Sequence, residues 1–256
     1  MLEMQHLHKS FSGTNRVLDD FNLSMREGEF VSLIGPSGCG KTTALRIVAG
    51  LLEQSGGKVI VDGAESHGPS RDKAIVFQHF NLFPWRTAID NVSYGLEMQG
   101  RPKAERKKVA QEYLELVGLS DSAKKYPAQL SGGMRQRIGI ARALAIHPKL
   151  LLMDEPFGAL DALTREHLQG QLQRICIERN LTTLFVTHSI DEAIYLSDRV
   201  VVMGVQPGRI IAEFDVTMPK PRADYNFRAE PEYAELRESI WKLLEQQLVR
   251  SELVAS

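Results

Sequence analysis

The chain has 256 residues, 43% of them hydrophobic and 25% charged, and a formal net charge of −1. This length suits one large α/β domain or two modest lobes sharing a core, and the balanced charge gives no reason to expect nonspecific nucleic-acid binding. Two cysteines, Cys39 and Cys176, are too few for a disulfide framework and badly placed for a metal site, no apolar run reaches the length of a membrane span, and Met1 to Ser10 lacks the apolar core of a signal peptide. The expected location is the cytosol. In chain order, Leu2 to Leu7 and Val17 to Met25 read as short strands around a turn near Gly13-Thr14-Asn15. They predict an antiparallel β layer ahead of the main sheet. Phe11 lies in this layer, where an aromatic ring could stack on a flat base or simply fill core space.

The apolar run Phe30 to Ile34 then feeds Gly35-Pro36-Ser37-Gly38-Cys39-Gly40-Lys41-Thr42-Thr43, and a helix-compatible stretch, Ala44 to Leu52, leads out. Strand, glycine-rich loop and helix follow in the order a phosphate cradle requires, and the match to G-x-x-x-x-G-K-[ST] is complete. Glycines at 35, 38 and 40 let backbone N–H groups turn inward at the positive end of the following helix. Lys41 can reach β- and γ-phosphates, and Thr42 offers a hydroxyl to Mg²⁺. The stretch reads as a nucleoside triphosphate site. Cys39, beside Lys41 and near a helix start, is expected to favour the thiolate, so that alkylation inhibits and nucleotide protects.

Strands are predicted at Gly57 to Asp62 and Ala74 to Phe77, with Gln78 at the end of the second. A glutamine at the carboxyl end of a strand sits where open α/β sheets bind ligands, and its amide could ligate Mg²⁺ or sense a γ-phosphate. Phe80, Leu82, Phe83, Pro84 and Trp85 then crowd into six residues, forming either a local core or an apolar patch for a partner. From Ala88 to Ala145 the pattern is helical, and the basic start of Lys103 to Val117 reads as a solvated face. Leu130-Ser131-Gly132-Gly133-Met134-Arg135-Gln136-Arg137 places an N-cap serine, two glycines and two arginines at one helix start, a second anion-binding terminus.

The run Leu150 to Met153 predicts a strand buried on both faces that delivers Asp154 and Glu155 to its carboxyl end. Asp154 would hold Mg²⁺ directly or through water, while Glu155 would orient and deprotonate an attacking water. Gly158-Ala159-Leu160-Asp161 forms a turn, with Asp161 able to cap the helix from Ala162. His188 ends the buried strand Leu184 to Thr187, where it could donate to a γ-phosphate oxygen. Strands Val200 to Met203 and Arg209 to Phe214 close the sheet. The tail reads as a proline-rich extended connector, Met218 to Arg222, and an amphipathic helix, Glu230 to Leu248, with Leu236, Ile240, Leu243, Leu244 and Leu248 on one side.

These motifs in this order resemble the nucleotide-binding subunit of an ATP-binding cassette transporter, over about Leu2 to Phe214. The resemblance identifies an aromatic A-loop position at Phe11, a Walker A loop from Gly35 to Thr42, the Q-loop Gln78 and the signature Leu130-Ser131-Gly132-Gly133. It adds the Walker B pair Asp154 and Glu155, the D-loop ending at Asp161 and the switch His188. Met134 stands where a glutamine is most common, Gly158 replaces a frequent serine, and Phe11 a usual tyrosine. The implied fold is an α/β P-loop NTPase core with a mostly parallel sheet, the antiparallel layer and an inserted helical subdomain. The expected division is a cassette over 1–218, with its helical insert at about 88–147, and an extension over 219–256.

By the same resemblance the chain hydrolyses ATP with Mg²⁺ and pairs head to tail with a second copy or a related cassette. Ser131, Gly132 and Gly133 of one copy then bind the γ-phosphate held by the other's Walker A loop. The apolar cluster at Phe80, Phe83 and Trp85 becomes the groove for a coupling helix of a membrane permease, and the subunit sits at the cytoplasmic face of the inner membrane. Phe83-Pro84-Trp85, Met134-Arg135-Gln136 and the short tail resemble importers of the nitrate, sulfonate and taurine group, supplied by a periplasmic binding protein. The competing classes are an exporter or lipid-trafficking cassette and a soluble cassette such as an iron–sulfur assembly ATPase.

Overall fold

The computed structural model describes residues 1–11, 15–79 and 81–255, with 15 and 250–255 by backbone alone. The expected turn at Gly13-Thr14 and the aromatic Phe80 lie outside the described residues. The elements run β1 (Leu2–Phe11), β2 (Asn15–Met25), β3 (Phe30–Ile34), α1 (Lys41–Val48), β4 (Gly56–Val61), β5 (Ala64–Glu65) and β6 (Lys73–Val76). Helices α2 (Ala88–Val92), α3 (Tyr94–Met98), α4 (Lys103–Leu116) and α5 (Gly132–Ala145) follow. The chain continues through β7 (Leu150–Asp154), α6 (Ala162–Glu178), β8 (Thr182–Thr187), α7 (Ile190–Leu196), β9 (Arg199–Gly204), β10 (Arg209–Asp215) and α8 (Pro231–Ala255). It divides into two compact units, Met1–Ser70 with Gln173–Ser256, and Arg71–Leu172.

In the first unit, β1, β2, β4 and β5 form the antiparallel sheet expected at the N-terminus, in the order β2-β1-β4-β5. Strand β1 runs on to Phe11, beyond the expected Leu7, because β2 pairs with it as far as Phe11↔Asn15. A second layer places β3 parallel to both β8 and β9, with β10 antiparallel at the outside of β9. Every residue of β3 and β8 is buried, including Ser32, Thr182, Thr183 and Thr187, which explains why neither strand shows a polar outward face in alternation.

The second unit pairs β6 with β7 in parallel and carries α2 to α5. Thr87 caps α2 by accepting from the Asp90 N–H, and Ser131 caps α5 by accepting from the Met134 N–H at 3.2 Å. The basic start of α4 stays at the surface, where Arg101 pairs with Glu105 and Arg106 with Glu97.

The tail departs from its expected extended form. Arg222 is fully buried in a 3₁₀ turn, and its guanidinium donates to five carbonyls, those of Ile194, Tyr195, Ser197, Val216 and Met218. Three of these belong to the end of α7 and the residues just after it, whose carbonyls lack partners within the helix. Helix α8 seats Tyr233, Ile240 and Gln247, one residue every two turns. Of the apolar side read from sequence, Leu236, Leu243 and Leu244 are half-buried and Leu248 is exposed.

Candidate functional site

Register fixes what meets at the carboxyl ends of paired parallel strands. In the first unit Ile34 is paired with Thr187, so Gly35 and His188 leave adjacent parallel strands at the same level. In the second unit Val76 is paired with Met153, so Gln78 and Glu155 emerge side by side two residues later. The amide Nε2 of Gln78 donates to the Glu155 carboxylate at 3.1 Å. Neither adjacency depends on local sequence; both follow from parallel pairing.

The phosphate loop is built tightly. Gly40 has φ of +99°, and a Cβ there would lie 2.7 Å from Leu18 Cδ2, so this position accepts only glycine. Having no side chain to cap α1, it leaves the first N–H groups of that helix to an anion. Lys41 is buried, and its Nζ donates to the carbonyls of Gly35 at 2.7 Å and Pro36 at 2.9 Å. Pro36 is buried with them, Ser37 and Gly38 face outward, and Thr42 and Thr43 are half-buried in the first turn of α1.

Cys39 overturns its expected thiolate character. The side chain is 1% exposed, and burial, which outweighs the nearby Lys41 ammonium, pushes the thiol up from its ordinary range. Cys176 is likewise pushed up, to about 11, by burial.

At the end of β7, Asp154 is buried and Glu155 half-buried. Glu155 adopts φ of +46°, a left-handed conformation that costs free energy for a residue with a Cβ and persists only where its surroundings fix it. Gln136 supplies one such constraint. Buried on α5, it donates to the Glu155 carbonyl at 3.5 Å and accepts from the Ala159 N–H at 3.0 Å. Gly133 approaches the same turn, since a Cβ on it would lie 3.2 Å from Leu160. The signature turn, Glu155 and the turn at 158–161 are therefore one interlocked assembly. Asp161 caps α6 by accepting from the Thr164 N–H at 3.0 Å, and that contact holds its carboxyl below the usual range.

The arginines after the signature glycines are held by backbone rather than aimed outward for an anion. Arg135 donates to the carbonyls of Pro127 and Leu130, and Arg137 to that of Val117. Ser131 is exposed, with Gly132 and Gly133 half-buried beside it.

Phe11 is 42% exposed, with Lys9 Nζ 4.9 Å from its ring centroid. Gly35, Pro36, Ser37 and His188 share a cleft of about 350 Å³ with residues of α7 and α8. In the first unit Thr42 presents a half-buried hydroxyl, and in the second Gln78 and Asp154 stand at the ends of β6 and β7, all of them hard oxygen donors of the kind Mg²⁺ accepts. Among the described residues no group of three or more His, Cys, Asp or Glu side chains could hold a metal. Hydroxyl, amide and carboxylate oxygens are the ligand types that fit Mg²⁺, an ion that keeps several waters alongside substrate phosphates.

The aromatic segment resolves into an inner and an outer part. Phe83 packs against Tyr94 with the rings tilted at 55° and their centroids 4.5 Å apart, and its ring centroid lies 5.7 Å from that of Trp85, which is 71% exposed. Buried Asn91 fixes this loop: its amide accepts from the Phe83 N–H and donates to the carbonyls of Phe83, Arg86 and Thr87. Sequence reasoning gave no structural role to Asn91, and used Gln136 only as part of Met134-Arg135-Gln136.

Residues 18–158 match the ABC transporter family. An uncharacterized ABC transporter ATP-binding protein of Methanocaldococcus jannaschii is 48% identical over 255 residues, 98% of this chain and 93% of the relative. The nitrate import ATP-binding protein NrtC of Synechococcus elongatus is 46% identical over 96% of this chain, as is the bicarbonate transport ATP-binding protein CmpC of that organism over 95%. This chain spans only 38% of the length of those two relatives. Among solved structures, a dimeric post-hydrolysis state of the ATP-binding cassette MJ0796 bound to ADP and Pi superposes with a TM-score of 0.79 at 34% identity, covering 86% of this chain and all of that one. With the whole cassette matched and its phosphate loop, signature turn and paired strand-end residues in place, the chain belongs to the ABC transporter family of ATP-binding subunits and is an ATPase of that family.

Proposed function

We propose that this subunit drives an importer for a small anion of the nitrate, sulfonate or taurine class, working as a head-to-tail pair beneath a separate permease. The reading rests on one observation above the others: Glu155, held at positive φ, has its carboxylate fixed by Gln78 at the carboxyl edge of two parallel strands. In this reading Glu155 orients the attacking water and takes its proton, and His188 donates to the γ-phosphate. Lys41 and the loop N–H groups hold the triphosphate, and Phe11 stacks on the adenine. Thr42, Gln78 and Asp154 would hold Mg²⁺, which neutralises phosphate charge when bound. Ser131, Gly132 and Gly133 complete the site of the opposite copy, and the turn ending at Asp161 travels with them.

The small-anion class draws support from the nitrate and bicarbonate relatives, which extend it from nitrate to another small oxyanion. A periplasmic binding protein would deliver that anion, and Trp85 would meet the permease at the cytoplasmic face of the membrane. Among the described residues no helix is long and apolar enough to cross a membrane.

A Glu155→Gln variant tests the core of this reading. Loss of a general base should slow turnover by about 10²- to 10⁴-fold and leave an ATP-bound dimer stable enough to follow by sedimentation. Turnover at the parental rate, or a strictly monomeric variant under saturating Mg²⁺ and ATP, would overturn it.

A further inference from the structure

We infer that the cleft between the phosphate loop and α8 is a docking site for Leu163 of a second copy of this chain. The inference rests on the head-to-tail pairing above. Leu163 is 81% exposed, yet it stands on a fixed corner: Asp161 caps the helix it begins, and Arg165 donates to the Leu160 carbonyl at 2.8 Å. That corner is locked to the signature turn through Gln136 and the close approach of Gly133 to Leu160. Whatever carries Gly132 and Gly133 to another copy's phosphate loop therefore carries Leu163 to the rim of the same loop.

The rim is where the cleft opens. Pro36 and Ser37 form one wall, and Trp241, Leu244 and Leu248 of α8 form the other. Trp241 is 53% exposed and Leu248 51%, an apolar pair in reach of a partner rather than in a core. The wall does not float. Tyr233 donates to Asp191 at 2.7 Å and Arg237 to the same carboxylate at 3.1 Å, which fixes α8 to the first turn of α7, just after His188. An apolar side chain on a rigid corner thus faces an apolar cleft continuous with the proposed contact between copies, and the tail helix becomes part of the ATP-dependent interface.

The test uses the full chain with Glu155→Gln, and dimerisation with Mg²⁺ and ATP followed by sedimentation. Leu163→Ala and Trp241→Ala should each weaken the dimer by about five-fold or more, and the double variant should be little weaker than either single one, because both remove the same contact. Both side chains are exposed, so neither change threatens folding. In a second arm, one copy carries Leu163→Cys and another Trp241→Cys, and the mixture is oxidised. A disulfide between the two chains that needs ATP supports the contact, with Cys39 and Cys176 too buried to compete. If the Glu155→Gln parent dimerises but the two alanine changes are neutral or strictly additive and no cross-link forms, the docking site is wrong while the pairing stands. Loss of permease binding by Trp241→Ala with an unchanged dimer would overturn it in favour of the permease as occupant. A parent that does not dimerise at all overturns both.

Discussion

The phosphate loop at 35–42 and the aromatic loop at 83–87 are each organised by a single buried polar side chain, and the two side chains differ in kind. Lys41 is a cation that donates to two carbonyls of its own loop and, more weakly, to the Cys39 sulfur at 3.8 Å. Asn91 is a neutral amide bonded to one N–H and three carbonyls, leaving its loop no freedom while Trp85 points outward. A cation among carbonyls gains by exchanging them for phosphate oxygens, because charge-assisted bonds to an anion are stronger than those to a neutral acceptor. An amide with every partner built in gains nothing by exchange. The first loop is made to swap partners, the second to hold one surface steady.

Substitution at the two organisers should therefore give opposite signatures. Asn91→Ala strands a buried N–H and up to three carbonyls, and should cost about 3 kcal/mol in a urea unfolding series. A loss under about 0.5 kcal/mol would mean water replaces the amide freely. Lys41→Ala should lower ATP affinity by about 10- to 100-fold, the worth of one charge-assisted bond set, with a smaller stability change than Asn91→Ala. Calorimetric titration and the same urea series separate the two; a reversed pattern would erase the contrast.

Trp85→Ala probes the surface that Asn91 holds steady. It should leave ATP hydrolysis by the isolated subunit unchanged and weaken capture of the permease by about ten-fold or more, as loss of an exposed tryptophan anchor does. An unchanged pull-down would remove that loop from the interface. The smallest effect belongs to Cys39. With its thiol buried and kept protonated, a maleimide should leave the folded protein unlabelled at both cysteines and fully active, while labelling both after unfolding. Rapid labelling of folded protein that ATP prevents would instead show a loop looser than its packing.

Strand, loop and helix at 30–48 were legible because that site is contiguous: its glycines, lysine and threonine carry their geometry with them. The paired ends Gln78 and Glu155 were legible one at a time, not as a pair, since their contact rests on the register of β6 against β7. Cys39 misled because nearness to Lys41 in sequence says nothing about burial, and burial dominates that thiol. Arg135 and Arg137 misled in the same way, as charge beside glycines suggested an anion while the guanidiniums found backbone oxygens. The bracing roles of Asn91 and Gln136 were not legible, because a buried amide is recognised by the backbone groups that fold around it, for Gln136 those of Glu155 and Ala159. The aromatic run left a local core and an exposed patch both open, and the structure divides it, with Phe83 packed against Tyr94 and Trp85 exposed.

Arg222 has a practical bearing on how the subunit can be cut and recombined. Its guanidinium stitches the chain after β10 to the end of α7, so a chain stopped before it would bare oxygens that sit under the domain rather than shed a loose appendage. Chimeras that exchange tails between related cassettes should place their junction beyond this arginine, or carry α7 along with it.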